Sequence, residues 1–128
     1  MTHQILIVED EAEIANIEQL SLEDLAVEIT HFKYPSKALE HLKDYQPDLL
    51  VLDIGLPNMS GWEFLTECKT NELLPSSCPV IITTAFNDPA NRVIGKLQDV
   101  QRYLAKPFSP MAFQGIVVEL LGLEQSKD

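Results

Sequence analysis

Positive charge is what this chain has least of: 9 lysines and arginines stand against 20 aspartates and glutamates, a formal charge of −11. Proteins that bind nucleic acid or an anionic membrane surface neutralise phosphates with clustered basic side chains, so direct nucleic-acid binding and a membrane role are not expected. Cysteine is nearly missing as well. Cys68 and Cys78 form no Cys-x-x-Cys pair and no disulfide framework, and His3, His31 and His41 are scattered without ligand spacing, which leaves them as surface or strand-end residues. No apolar run approaches the roughly 20 residues of a membrane-spanning helix. The opening Met1-Thr2-His3-Gln4 lacks the charged-then-apolar layout of a signal peptide, so the expected setting is a reducing cytoplasm.

What is present is an ordinary globular composition. The 128 residues are 45% hydrophobic and 23% charged, enough for one core without disulfides or metals as staples. A single domain over residues 1–123 is expected, with 124–128 as a C-terminal tail. There is no internal repeat, low-complexity tract or linker.

Strands and helices alternate along the chain. Gln4–Val8 is an apolar, β-branched run that stops at Glu9-Asp10-Glu11, and Ile14, Ile17, Leu20 and Leu25 then recur at roughly helical spacing, predicting an amphipathic helix over 11–25. A weaker strand at Val27–Phe32 leads to Pro35, suited to the first turn of a helix reaching about Asp44 before Pro47. Asp48–Asp53 reads as a strand buried on both faces. Gly55, Pro57, Asn58, Ser60 and Gly61 supply turn chemistry before a helix carrying Trp62, Phe64, Leu65 and Cys68. Pro79–Thr84 is a further buried strand, Asp88-Pro89 opens a helix with Gly95 inside it, and Gln101–Ala105 is a short strand. Ser109-Pro110 starts a last helix to about Leu121, with Gly122 as its C-cap. Five such βα units predict an α/β fold: a mostly parallel sheet with helices on both faces.

In such sheets ligands bind beyond the carboxyl ends of the strands, where the strand order reverses. Glu9, Asp10, Asp53, Thr84 and Lys106 fall at those ends. Three carboxylates a few ångströms apart repel unless a cation sits among them, and hard oxygen donors suit Mg²⁺. A cation would also let a carboxylate approach an anionic phosphoryl donor, while the Thr84 hydroxyl and the Lys106 ammonium bind the equatorial oxygens on which charge spreads. This is the equipment that phosphorylation of an aspartate requires.

The runs Ile5-Leu6-Ile7-Val8-Glu9-Asp10-Glu11, Asp53-Ile54-Gly55-Leu56-Pro57-Asn58-Met59-Ser60-Gly61, Thr84-Ala85 and Tyr103-Leu104-Ala105-Lys106-Pro107-Phe108 resemble the signature blocks of response-regulator receiver domains, across roughly residues 3–121. The resemblance implies a doubly wound, flavodoxin-like sheet of five strands in the order 2-1-3-4-5 with five helices. It implies that Asp53 accepts phosphate from a histidine kinase or histidine phosphotransfer protein. Glu9, Asp10, Asp53 and the Gly55 carbonyl would hold Mg²⁺, Thr84 and Lys106 would bind the phosphoryl group, and Thr84 and Tyr103 would be the switch residues. A cis Lys106-Pro107 bond, a downstream effector protein or domain, and a homodimer linked to phosphorylation belong to the same implication. Such a chain is a regulatory phosphoacceptor and not an enzyme on other substrates: it catalyses only its own phosphorylation and slow autodephosphorylation.

Each residue also has a plainer reading. Asp10-x-x-Glu13 fits a capping box, a role compatible with metal binding. Asp53 alone is a turn former, Thr84 a β-former and Lys106 a solvated charge; Tyr103, Trp62, Phe64 and Phe113 are packing residues, and Cys68 is core. Rival functions stay open. A haloacid-dehalogenase-like phosphatase would need a second acid at Gly55, and a histidine phosphotransfer module would be all helical. A degenerate receiver, docking without phosphorylation, is the alternative.

Three positions depart from the family pattern. Glu9 is longer than the usual aspartate, and Asp99-Val100 replaces Gly-Ala, which restricts the switch. Neither Gly55 nor Phe86, two residues after Asp53 and Thr84, can hold an attacking water. A slowly hydrolysing aspartyl phosphate is expected, and Phe86→Glu should shorten its lifetime in a decay assay; an equal or longer lifetime would contradict this.

Overall fold

A computed structural model describes residues 2–56, 58–85, 100 and 102–123. Within them the chain forms β1 (His3–Val8), α1 (Ala12–Ser21), β2 (Val27–Phe32), α2 (Pro35–His41), β3 (Leu49–Asp53), α3 (Gly61–Thr70), β4 (Val80–Thr84), β5 (Arg102–Ala105) and α4 (Pro110–Leu121). The five strands make one sheet in the order β2-β1-β3-β4-β5, with every neighbouring pair parallel. The helix expected from Asp88, with its Gly95, lies outside the described residues. So do Phe86, Asp99, Gln101 and the expected tail.

The continuous apolar runs behave as central strands must. All five residues of β3 and of β4 are buried, whereas β2, at the edge, is only partly covered. Alternation across the sheet builds two cores. Leu6, Val8, Leu50, Leu52 and Ile82 meet Ala38 and Leu42 near α2 and Phe64, Leu65 and Cys68 of α3 on one face, while Ile5, Ile7, Val51 and Ile81 meet Leu22, Phe113 and Val117 on the other. Cys68 is thus core, as expected.

Local chemistry sets the helix ends. Ser60 Oγ accepts from the Glu63 N–H, and Ser109 Oγ accepts from the Met111 and Ala112 N–H groups with Pro110 in the first turn. Gly122 closes α4 at φ 66°, the left-handed conformation that glycine takes most readily. Gly61 answers a different need. A Cβ there would lie 2.8 Å from the Asp53 carbonyl oxygen and 2.9 Å from Ile54 Cα, so only glycine lets α3 begin against the end of β3.

Four expectations are corrected. The first helix ends at Ser21, not Leu25, because Glu23 and Asp24 would place negative charge at the negative end of the helix dipole; α2 stops at His41, where i→i−3 bonds from Lys43 and Asp44 tighten the turn. The Asp10 capping box does not form: Glu11 is the N-cap and no side chain caps the helix. The expected apolar stripe of α1 is also only half right, since Ile14 and Leu25 are half-buried but Ile17 and Leu20 face away. Ala15 and Glu18 are the buried residues of the helix, while Ile17 and Leu20, on the far side at roughly 100° per residue, are 37% and 64% exposed.

Glu18 therefore sits in the interior with both carboxylate oxygens lacking a hydrogen-bond partner among the described residues. Burial pushes it from 4.5 to about 8, the charges of Glu9 and Asp53 adding to the rise and Lys106 opposing it. It is a neutral acid at pH 7. Because the folded state holds this proton and the unfolded chain releases it near 4.5, stability falls as pH rises from about 4.5 to about 8 and then levels off. Glu18→Leu should raise urea-unfolding stability at pH 8 by about 2–4 kcal/mol, and by much less at pH 5. A loss of stability at pH 8 would contradict the assignment.

Candidate functional site

Strand order reverses between β1 and β3, and the residues at their carboxyl ends meet there. Glu9 follows β1, Asp53 ends β3, and oxygens of Glu9, Asp10 and Asp53 all lie within 4.8 Å of one another. Glu9 and Asp53 are buried and Asp10 is half-buried. Backbone donors orient them: the Gly55 N–H donates to Asp53 Oδ1 at 3.0 Å, and the Glu11 N–H donates to a Glu9 oxygen at 3.2 Å. His31 Nε2 lies 2.8 Å from the Glu9 carbonyl oxygen, tying the end of β1 to the edge strand.

Lys106, one residue beyond β5, reaches into this cluster. Its Nζ is 2.9 Å from Glu9 Oε1, 3.2 Å from Asp53 Oδ2 and 3.7 Å from Glu11 Oε2, with its side chain 10% exposed. Burial pushes the Glu9 carboxyl up to about 7, the Asp53 charge adding to the rise and Lys106 opposing it. Burial likewise raises Asp10, with Asp53 contributing. Burial alone would lower Lys106, but hydrogen bonds and charges from Glu9 and Asp53 outweigh it and hold the ammonium above its usual range. The donor set of clustered carboxylate oxygens is the kind that Mg²⁺ takes, and excess negative charge is what such an ion relieves.

The remaining expected residues are nearby in the fold. Thr84, buried, ends β4 beside Ala105, and its carbonyl accepts from the Lys106 N–H at 2.8 Å. Gly55 lies in the exposed turn after Asp53. The Lys106-Pro107 bond is cis. Tyr103 is on β5, half-buried, its ring 6.0 Å from that of Trp62.

Sequence reading missed Glu11 as a third acid facing Lys106, and Glu18 beneath the cluster. Glu11 carried a signal, standing in the acidic run that closes β1; Glu18 carried none, since the expected stripe ran through Ile17 and Leu20. The cysteines add no nucleophile. Burial raises both Cys68 and Cys78 to about 12, leaving them thiols at neutral pH.

With Lys106 as their nearest basic group among the described residues, the carboxylates should depend on it when no divalent cation is supplied. Lys106→Met should lower stability in chelator by about 3 kcal/mol, and millimolar Mg²⁺ should restore much more in the variant than in the native protein. Equal stabilities in chelator would contradict this.

Comparison with known proteins agrees with the geometry. The profile of the family described as response regulator receiver domain matches residues 5–117. Relatives include the alkaline phosphatase synthesis transcriptional regulatory protein PhoP of Bacillus subtilis, 30% identical over 94% of this chain and 49% of its own length. The phosphate regulon transcriptional regulatory protein PhoB of Escherichia coli is 34% identical over 86% of this chain and 48% of its own length. The chain thus spans about half the length of these relatives. Among solved structures, a CheY-like receiver domain protein from Methanospirillum hungatei superposes with a TM-score of 0.84 at 24% identity, covering 95% of each chain. The receiver domain of a putative Luxo repressor protein from Vibrio parahaemolyticus gives 0.86 at 25% identity over 95% of this chain and 92% of its own. The chain belongs to the response-regulator receiver domain family.

Proposed function

We propose that this chain is a phosphorylation-dependent switch of a two-component phosphorelay, in which Asp53 accepts a phosphoryl group from a histidine kinase or a histidine phosphotransfer protein. The observation that carries the reading is the setting of Asp53: a buried strand-end carboxylate held by the Gly55 N–H and Lys106, with two further carboxylates close by. An Asp53 oxygen attacks the phosphorus of the phosphohistidine. The P–N bond breaks, its electron pair returns to the imidazole, which takes up a proton, and an acyl phosphate remains on Asp53.

Glu9, Asp10, Asp53 and the Gly55 carbonyl would hold Mg²⁺, which when bound offsets the repulsion between carboxylate and phosphoryl donor. The Thr84 hydroxyl and the Lys106 ammonium bind the phosphoryl oxygens as charge develops on them. Lys106 exchanges part of its contact with Glu9 for the new anion. Phosphorylation adds about −1.5 to −2 charges at this point, which draws Thr84 inward and biases the segment after it, with Tyr103 as the aromatic that follows.

The output is a changed partner-binding surface for a downstream effector protein or domain, or for a second copy of the chain. At −11 the chain itself is not the nucleic-acid-binding part, and the transcriptional regulators it resembles are about twice its length. The rival reading, a docking module that is never phosphorylated, leaves the buried cluster of Lys106 and three carboxylates without a role. Incubation with Mg²⁺ and a small phosphoryl donor should yield one base-labile phosphoryl adduct by mass spectrometry, absent without Mg²⁺ and absent in Asp53→Asn. No adduct, or one that persists in Asp53→Asn, would sink the reading.

A further inference from the structure

Trp62, the chain's one tryptophan, is anchored to the strand that carries Asp53. Its neighbour Gly61 donates to the Ile54 carbonyl at 2.9 Å, and Gly61 lies so close to β3 that even a Cβ would strike the Asp53 carbonyl oxygen. The first turn of α3 therefore moves with the end of β3. From that anchor the indole reaches over β4. Leu52 pairs with Ile82 and Ile82 with Tyr103 in successive parallel ladders, and the Trp62 and Tyr103 rings meet at 6.0 Å between centroids with their planes at 49°. Both rings are half-buried against the same core cluster. One aromatic contact thus links the acceptor strand to β5, three residues before Lys106.

We propose that Trp62 is a positioning residue for the switch, its ring holding Tyr103 in the half-buried place described above. This rests on the reading of Asp53 as phosphoacceptor and Tyr103 as the aromatic that responds. A tilted ring pair of this kind biases a two-state equilibrium by about 2- to 10-fold. Trp62 therefore sets part of the free-energy difference between this place of Tyr103 and any other, and removing the indole moves the set point of the switch.

The test is a double-mutant cycle with beryllofluoride and Mg²⁺ as the phosphoryl stand-in. Its half-saturating concentration is followed by calorimetry in the native protein, Trp62→Leu, Tyr103→Leu and the double variant. Trp62→Leu should shift that concentration about 2- to 10-fold when Tyr103 is present and leave it unchanged when Tyr103 is replaced by Leu. Trp62→Phe, which keeps a ring, should stay close to native and guards against a folding defect in the leucine variant. Equal shifts in both backgrounds, or no shift in either, would overturn the proposal while leaving the phosphoacceptor reading intact. No beryllofluoride binding by any of the proteins, the native one included, would overturn that reading and the proposal with it.

Discussion

Two carboxylates that end neighbouring parallel strands cannot be moved apart without undoing the sheet. β1 and β3 are adjacent, so Glu9 and Asp53 are held near the spacing of sheet strands, about 4.8 Å, and Asp10 joins them from the next position. At that distance, away from water, like charges repel strongly. The neighbourhood answers this repulsion: burial and Asp53 raise the Glu9 carboxyl, two backbone N–H groups point at carboxylate oxygens, and Lys106 lies against Glu9 and Asp53. A site that needs positive charge this badly is ready to exchange one cation for another, or to let an anion be added once a cation has come in.

The scaffold around this cluster is stiff where Asp53 sits. β3 and β4 are buried throughout, Gly61 seats α3 directly on the Asp53 backbone, and the two cores close over both faces of the sheet. Rigidity there has a use. A phosphoryl group on Asp53 would change the local charge without displacing the strand that bears it, and under the proposed function the response would pass to groups at its edge: the Lys106 ammonium, the end of β4 at Thr84, and the Tyr103 ring against Trp62.

Much of this is legible in the sequence. The β-branched runs that stop abruptly at acids marked both the strands and the strand ends, because a buried parallel strand must be apolar along its length and can turn polar only where it leaves the core. Ser109-Pro110 and Gly122 delimited α4 through backbone chemistry that acts within a few residues. What failed was half of the α1 stripe. Ile17 and Leu20 extend an apparent stripe from Ile14 on the side that turns out to face solvent, and the packing of a helix is decided by what it meets rather than by its own pattern.

The sequence by itself determined the alternation of strands and helices, the acids at the ends of β1 and β3, and the lysine after β5, since these follow from short-range hydrophobic and turn chemistry. Only the tertiary structure decided that Lys106 pairs with Glu9 as well as Asp53, that Glu18 is drawn into the interior, and that Trp62 meets Tyr103 across β4. Those contacts join residues that are tens of positions apart in the chain, and their distances come from strand order and helix rotation, which no local run of residues encodes.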